Sequence, residues 1–364
     1  MPPASADHLL SSFFLIWSTA PSTLQPRHLR AIQSILHWHP AAQVTVLSNT
    51  LPTDFFLLWS SAEREARVKV ERYDLEELCA DSPLADWYSR RDEWNRSTFF
   101  SNHESDLLRL MFLFRRGGVY VDADVVFVRP LRLPSGCEHG IVGLESGTGG
   151  VAAEDGWSPS ITSDSSAGLP PIVCNAVMAF RAGHPLLAAM LSAFAHEYVP
   201  YTPGCTMLEL FAKGEWGAMG PLLLSRLLLK RQPPSPPLRA TSSAEEGTDD
   251  EEEEEELASS WHPTGYAHPA TCVLERTALY PLAPGETSTF FGVWDQAKWD
   301  MIHSRACTVH FWNGLTRDVE LTCGSLMHRL LEEHAGCRES SRHAPPPPPW
   351  CRSVALECTR VRVR

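Results

Sequence analysis

The stretch His103–Leu131 constrains the fold more than any other part of this chain. It comprises an apolar helical pattern, two glycines, and two short β-branched runs with Asp122-Ala123-Asp124 between them. Side chains alternate along an extended chain, which would place Asp122 and Asp124 on the same side. Two converging carboxylates repel each other unless a cation or a proton lies between them. The pattern therefore predicts a pocket for Mg²⁺ or Mn²⁺, whose remaining coordination positions suit water and a diphosphate.

The sequence predicts both ends of the helix that precedes the acidic pair. Ser101 and Glu104 have the spacing of a capping box, which predicts that the helix begins near Asn102. Gly117 is expected to end it, and a strand should follow. A bare D-x-D is common, and the alternative interpretation is a plain turn between two hydrophobic strands. The capped helix and the apolar runs around the acids favour a functional site instead.

The rest of the chain alternates strand-like and helix-like segments. This alternation predicts an α/β fold with a parallel sheet whose ligands bind at the carboxyl ends of the strands. The predicted strands are 13–17, 43–47, 68–73 and 176–181, and the predicted helices are 27–37, 185–198 and one after Pro221.

Several motifs resemble those of DXD glycosyltransferases of the α-1,4-galactosyltransferase and α-1,4-N-acetylglucosaminyltransferase family. S-D-x-x-R occurs at 105–109 and G-G-x-Y-x-D-x-D at 117–124. Cys174–Leu187 resembles the family's N-x-x-x-x-F…H-P segment, and Thr308–Asn313 resembles its V-H-x-W-N. Gly220–Leu224 resembles G-P-x-L-L-T, with Ser225 in place of the final Thr. These blocks occur in family order between Phe13 and Asn313.

The resemblance implies a GT-A-type, Rossmann-like α/β fold with a mostly parallel sheet flanked by helices. It implies a metal-dependent, retaining transferase that moves a hexose from a UDP-sugar to a glycan or glycolipid hydroxyl and forms an α linkage. Mn²⁺ or Mg²⁺ would be the cofactor. Galactose and N-acetylglucosamine both remain open as the sugar, because no residue that contacts the 2-position is identifiable.

By the same resemblance, Asp124 is the principal metal ligand, and Asp122 contacts the ribose or contacts the metal through water. His310 is a candidate third ligand, with a buried structural histidine as the alternative. Asn313 either hydrogen-bonds the diphosphate or fixes His310.

The donor is expected to contact a further set of side chains. Asp106 and Arg109 are neighbours on one helix face, and they orient the donor sugar or link it to the acidic pair. The alternative is a surface salt bridge. Tyr120 is placed at the donor by its position in the motif, and Trp17 either stacks on the base or belongs to the core.

Three classes of function compete for this motif. A haloacid-dehalogenase-type phosphohydrolase also uses Asp-x-Asp, but it needs a downstream lysine and second acidic pair that are not evident here. A non-catalytic module that binds sugar nucleotides is the other alternative. Within the transferase interpretation, no carboxylate is spaced as a nucleophile, so attack on the face that the leaving group departs from is the default. Glu145 and Asp164 stay open as a base or nucleophile.

Composition divides the chain into four segments. We assign 8–230 to the catalytic region, 231–260 to a Pro-rich and acidic insert, 261–335 to the C-terminal part of the catalytic domain and 336–364 to a Pro-containing tail. The net charge is −13, but Glu245, Glu246 and Asp249–Glu256 supply ten acids, which leaves −3 for the rest. Nothing indicates a nucleic-acid surface, and the sequence does not specify an oligomeric state.

Membrane and redox signals are sparse. No stretch approaches the roughly 20 apolar residues of a transmembrane helix. His8–Ala20 is too short for one and lacks the basic flank of a signal peptide. The family resemblance nevertheless implies a Golgi location. Ten cysteines include no C-x-x-C pair, which argues against a zinc or thioredoxin-type site, and they leave both lumenal disulfides and buried thiols open.

Overall fold

The computed structural model describes residues 9–58, 67–80, 82–95, 99–146, 171–198, 217–228, 271–286, 290–292 and 294–334. The predicted insert at 231–260 and tail at 336–364 lie outside these residues, as does Asp164. Nine strands are described: β1 Ser12–Ile16, β2 Gln43–Leu47, β3 Val68–Glu71, β4 Gly118–Val121, β5 Val125–Phe127, β6 Gly140–Ser146, β7 Ile172–Phe180, β8 Cys272–Leu274 and β9 Thr308–His310.

Seven of these strands form the central sheet, in the order β3-β2-β1-β4-β7-β6-β8. Strands β3, β2, β1 and β4 are mutually parallel, β7 is antiparallel to both of its neighbours, and β8 is parallel to β6. The parallel half follows from the alternation of strands and helices near the start of the chain, which requires crossover connections. The predicted α/β class with a mostly parallel sheet flanked by helices is confirmed.

Helices cover both faces of this sheet. They are α1 Pro26–Trp38, α2 Leu75–Ala80, α3 Ala85–Ser89, α4 Arg91–Trp94, α5 Phe100–Arg116, α6 Pro185–Glu197, α7 Pro221–Leu228, α8 Arg276–Leu279, α9 Gln296–Arg305, α10 Asn313–Thr316 and α11 Leu326–His334. Within the described ranges, no helix is long and apolar enough to cross a bilayer.

Strand β1 shows how the sequence builds two hydrophobic layers. Phe13 and Leu15 pack into one cluster with α1 and α11, while Phe14 and Ile16 pack into the other with α5, α6 and α7. Both layers are apolar because successive side chains of a strand point to opposite faces, and this strand is covered on both.

The start of α5 differs from the prediction. The helix begins at Phe100, its N-cap is Phe99, and no side chain caps it, so the predicted capping box and the start near Asn102 are wrong. The helix ends before Gly117, its C-cap, as predicted. Gly117 adopts φ +67°, and a Cβ there would lie 2.7 Å from the backbone nitrogen of Ala182, so glycine is required on both counts.

The acidic pair is not part of an extended strand. Strand β4 ends at Val121, and the backbone N–H of Val125 donates to the carbonyl of Asp122 at 3.1 Å, so the acids lie in a turn. Strand β5 then leaves the central sheet and pairs with β9, and Val125 lies opposite His310. The plain-turn interpretation is therefore correct for the backbone, and it is this turn that brings the acids to the second sheet.

One disulfide joins distant parts of the fold. Cys137 and Cys272 are bonded across 135 residues of sequence. Cys323 is also disulfide-bonded, whereas Cys79 and Cys174 are buried free thiols. Disulfides and buried thiols therefore both occur among the described residues.

Candidate active site

A cavity of about 590 Å³ opens beyond the carboxyl ends of β1 and β4. This is the edge of a parallel sheet at which ligands bind, and the volume is typical of a small-molecule site. Ser18 and Thr19 line it after β1, and Asp122 and Asp124 line it after β4. The acidic turn therefore faces a cavity that is large enough for a substrate.

Asp124 is held by groups from the C-terminal part of the chain. Its Oδ2 lies 3.0 Å from Nε2 of His310 and accepts a 2.6 Å hydrogen bond from the backbone N–H of Asn313. Trp312, between them, adopts φ +50°, a strained conformation for a bulky residue. That conformation turns the backbone so that the Asn313 N–H points at Asp124.

The electrostatics of this pair favour the ionised form of Asp124. Burial would raise the pKa of Asp124, but the His310 ring and the Asn313 N–H outweigh burial and lower the pKa to about 2. Burial would likewise lower the pKa of His310, but the Asp124 carboxylate outweighs it and raises the pKa. Asp124 is therefore an anion at neutral pH, the form in which a carboxylate binds a cation.

Asp122 has different partners. The Tyr120 hydroxyl donates a hydrogen bond to its Oδ1, and Nη1 of Arg109 lies 3.3 Å from the same oxygen. Burial raises the pKa of Asp122, with Arg109 opposing the shift and Asp124 adding to it. The two acids therefore differ. Asp124 is ionised at neutral pH, whereas Asp122 is oriented by the Tyr120 hydroxyl and the Arg109 guanidinium.

Arg109 connects Asp122 to a second buried carboxylate. Its Nε lies 3.4 Å from Asp106, and its Nη1 donates to the backbone carbonyl of Asn175 at 2.9 Å. Asp106 in turn accepts a 2.8 Å hydrogen bond from Nδ2 of Asn175. Both members of the Asp106–Arg109 pair are buried, so it is not a surface salt bridge.

Gly220 completes this corner of the cavity. A Cβ at this position would lie 2.6 Å from Oδ2 of Asp106 and 2.5 Å from Nδ2 of Asn175. The chain passes so close to the carboxylate that only glycine fits without displacing it. The Gly-Pro start of α7 thus serves the site by close approach, and the proline takes the first helical turn.

Asp122, Asp124 and His310 fit a divalent cation. One ligand atom from each lies within 4.8 Å of the others. Nδ1 of His310 is buried and has no hydrogen-bond partner in the described structure, which leaves a nitrogen lone pair or proton unsatisfied there. Two carboxylates and an imidazole suit Mn²⁺, which accepts hard oxygen ligands together with nitrogen.

The remaining predicted residues lie at varied distances from the cavity. Tyr120 is buried, and the guanidinium carbon of Arg109 lies 4.5 Å from the centroid of the Tyr120 ring. Its hydroxyl supports Asp122 by the hydrogen bond described above. Trp17 is buried against His28, with ring centroids 5.0 Å apart, while its neighbours Ser18 and Thr19 line the cavity. Glu145 lies in β6, and it also lines the cavity.

Sequence reasoning did not single out Asn175, the partner of both Asp106 and Arg109. It belongs to the C-N-A-V-M-A-F block that carried part of the family resemblance, and this was the available signal. A buried asparagine in an otherwise apolar strand needs hydrogen-bond partners, which predicts a polar contact without naming it.

Two family models match this chain, and each matched region contributes residues to the cavity. Residues 25–140 match the model of the glycosyltransferase sugar-binding region containing the DXD motif. Residues 264–343 match the α-1,4-glycosyltransferase conserved region. The chain therefore contains a DXD-motif sugar-binding region and an α-1,4-glycosyltransferase conserved region, as the motifs had indicated.

Relatives of known sequence agree with this assignment. The chain is 27% identical to rat lactosylceramide 4-alpha-galactosyltransferase over 224 residues, covering 59% of this chain and 49% of that protein. It is 23% identical to human alpha-1,4-N-acetylglucosaminyltransferase over 155 residues, covering 43% of this chain and 33% of that protein. An uncharacterized Arabidopsis thaliana protein is 34% identical over 149 residues, covering 40% and 23% of the two chains. The chain thus spans half or less of the length of these relatives.

Solved glycosyltransferase structures also resemble the fold at low identity. The galactosyltransferase LgtC, in complex with donor and acceptor sugar analogs, covers 91% of this chain and 98% of its own, with a TM-score of 0.39 and 10% identity. The bifunctional glycosyltransferase WbbM covers 95% of this chain and 51% of its own, with a TM-score of 0.41 and 11% identity.

Proposed function

We propose that this protein is a metal-dependent, retaining hexosyltransferase that uses a UDP-sugar donor and forms an α linkage to a glycan or glycolipid hydroxyl. The observation that carries the proposal is the convergence of Asp122, Asp124 and His310 in one cavity, although His310 is separated from the acids by more than 180 residues of sequence. A glycosyltransferase with this triad has the ligands to hold a diphosphate through an ion.

The bound ion, Mn²⁺ or Mg²⁺, supplies charge neutralisation for the departing diphosphate. The chain's own residues do the rest. His310 and the Asn313 N–H keep Asp124 ionised and fixed. Arg109 and Tyr120 orient Asp122 toward the cavity. Asp106, held by Asn175, keeps Arg109 in place and presents a carboxylate to the donor sugar's hydroxyls.

The stereochemical part of the proposal is attack on the departing face. Asp106 and Asp122 are tied to Arg109, and Asp124 is tied to His310, so we assign these carboxylates to metal and donor binding and not to nucleophilic attack. Glu145 is the further carboxylate of the lining, and burial raises its pKa. We assign it no covalent role: an oxygen of the departing phosphate accepts the acceptor's proton.

Replacing Glu145 by Gln tests that assignment. We expect a loss of less than about tenfold in turnover, because Gln preserves shape and a phosphate oxygen acts as the base. A loss above about a thousandfold would instead make Glu145 a nucleophile or base.

An oxidising compartment such as the Golgi lumen is part of the proposal. The Cys137–Cys272 disulfide supports it, because disulfides persist mainly in oxidising compartments. Lactosylceramide is the first acceptor to try, since it is named for relatives of this chain.

The activity test measures UDP release from a panel of UDP-sugars with Mn²⁺, with and without acceptor. We expect acceptor-dependent UDP release that EDTA abolishes and that Asp124→Asn abolishes as well. Release of inorganic phosphate would favour the phosphohydrolase interpretation. Binding of a UDP-sugar without release of either product would favour a non-catalytic module.

A further inference from the structure

A second group of metal-ligating side chains lies where α9 meets α11. His303 near the end of α9 and Glu333 and His334 at the end of α11 each offer one ligand atom, and these atoms lie within 4.8 Å of one another. None of the three lines the active-site cavity. Neither the family resemblance nor the proposed activity uses this cluster.

The hydrogen bonds of His303 prepare one of its nitrogens for a ligand role. Nδ1 lies 2.9 Å from the backbone carbonyl oxygen of Trp299, so the ring proton belongs on Nδ1, which donates to that oxygen. Nε2 is then left with its lone pair. Ligating histidines usually show this arrangement, in which a backbone carbonyl fixes the tautomer and the ring orientation.

The two imidazoles face each other through their Nε2 atoms. Nε2 of His303 lies 3.0 Å from Nε2 of His334. At this separation at most one of the two nitrogens carries a proton. A cation between the rings would replace that single shared proton as the group that holds them together, and Glu333 is placed to add a negatively charged oxygen.

Aromatic neighbours hold both rings in place. The Trp299 ring lies 3.9 Å from that of His303, and the Trp38 ring lies 5.7 Å from that of His334, measured between centroids. His334 is buried, whereas His303 and Glu333 are half-buried, so the cluster has a fixed inner ligand and an outer side that an ion can reach. The rings need little reorganisation to bind an ion.

We propose that His303, Glu333 and His334 form a second metal site, for Zn²⁺ or a similar transition ion, that ties α9 to α11. Two imidazoles and one carboxylate are a ligand set that Zn²⁺ accepts, with a fourth position left for water. The site differs in chemistry from the first, in which two carboxylates and one imidazole favour a harder ion. Its role is structural, because its ligands come from two helices and none of them lines the active-site cavity.

The test is isothermal titration of Zn²⁺ into the full chain carrying Asp124→Asn, which weakens the first site. We expect one Zn²⁺ to bind and the thermal midpoint to rise with Zn²⁺. Adding His303→Ala should lower the affinity by at least about tenfold and remove the thermal shift. Glu333→Gln, a milder change at a half-buried residue, should lower the affinity in the same direction.

His196→Ala is the matched control. His196 is exposed on α6, and its Nδ1 contacts the carbonyl of Ser192, four residues earlier, in the same way that His303 contacts Trp299. It should leave Zn²⁺ affinity unchanged. The proposal is overturned if the Asp124→Asn chain binds no Zn²⁺, or if binding survives both His303→Ala and Glu333→Gln. In either case the cluster is only a histidine–histidine hydrogen bond.

Discussion

Replacing Arg109 by Met tests whether the buried charges of the active site act as one network. Arg109 lies 3.3 Å from Asp122 and 3.4 Å from Asp106, and its side chain is 8% exposed. Met fills similar space without charge, so both carboxylates lose their cationic partner. Breaking a buried pair in this way costs about 3–5 kcal/mol. The 26% exposure of the Asp122 side chain points to the lower part of that range, because water partly replaces the lost partner.

The free energy of unfolding is measured by urea denaturation followed by circular dichroism, in EDTA so that no ion contributes. A loss of about 3 kcal/mol is a large fraction of a typical domain's stability. Arg226→Met is the control, since its pair with Glu197 is short, 2.6 Å, but half exposed. That variant should lose less than about 1 kcal/mol. Equal small losses in both variants would refute the network.

A second substitution checks the cause of the loss. In the Arg109→Met chain, Asp106→Asn removes one of the two unpaired charges, and the Asn oxygen can still accept from Asn175. We expect this double variant to recover part of the lost stability. No recovery would mean that lost packing, and not an uncompensated charge, explains the effect.

Three further predictions concern other groups. Asp124→Asn should abolish transfer and make UDP-sugar affinity independent of metal, while His310→Ala should reduce turnover less because one of several ligands is lost. Steady-state kinetics with Mn²⁺ measure both variants. Full activity in Asp124→Asn would contradict the metal site. Gly220→Ala should lower UDP-sugar affinity and cost about 1–3 kcal/mol of stability, because its Cβ meets Asp106. Calorimetry measures the affinity, and urea denaturation measures the stability. Wild-type values would show that Asp106 moves away from the new Cβ at no cost. Burial lowers the pKa of His39 to about 4 from the ordinary 6.5, so the unfolded chain binds more protons than the folded chain between these pH values. Stability therefore falls as the pH is lowered through that window, by on the order of 3 kcal/mol from this residue. His39→Gln should flatten that part of the urea-midpoint profile, and an unchanged slope would exclude His39 as its source.

The central sheet could be predicted because its strands and helices alternate locally. Phe13–Ile16 and Gln43–Leu47 are apolar runs flanked by clear helix patterns, and Gly117 marks a helix end by its own chemistry. The capping box failed because the start of α5 depends on packing: Phe100, in its first turn, is buried in the hydrophobic layer, and no side chain caps the helix.

From residue patterns alone, the candidate site could be predicted only where its residues are close in sequence, and His310 was identified through the family resemblance. Asp122 and Asp124 were identified together, although the backbone that joins them is a turn and not a strand. The contact of Asp124 with His310 depends on the pairing of β5 with β9, and the contact of Asp106 with Asn175 depends on the packing of α5 against β7. Both join residues far apart in sequence, which composition and periodicity do not encode. The left-handed Trp312 is likewise a product of tertiary constraint, since local preference opposes it.

The stereochemistry of the first-formed product tests the central claim most directly. The UDP-α-sugar that gives acceptor-dependent UDP release is incubated with Mn²⁺, and proton NMR measures the anomeric coupling of the new linkage before any rearrangement. Attack on the departing face predicts an α-linked product, formed by the wild-type chain and absent with Asp124→Asn. A β-linked product would contradict same-face attack and would require a general base on the opposite side of the sugar.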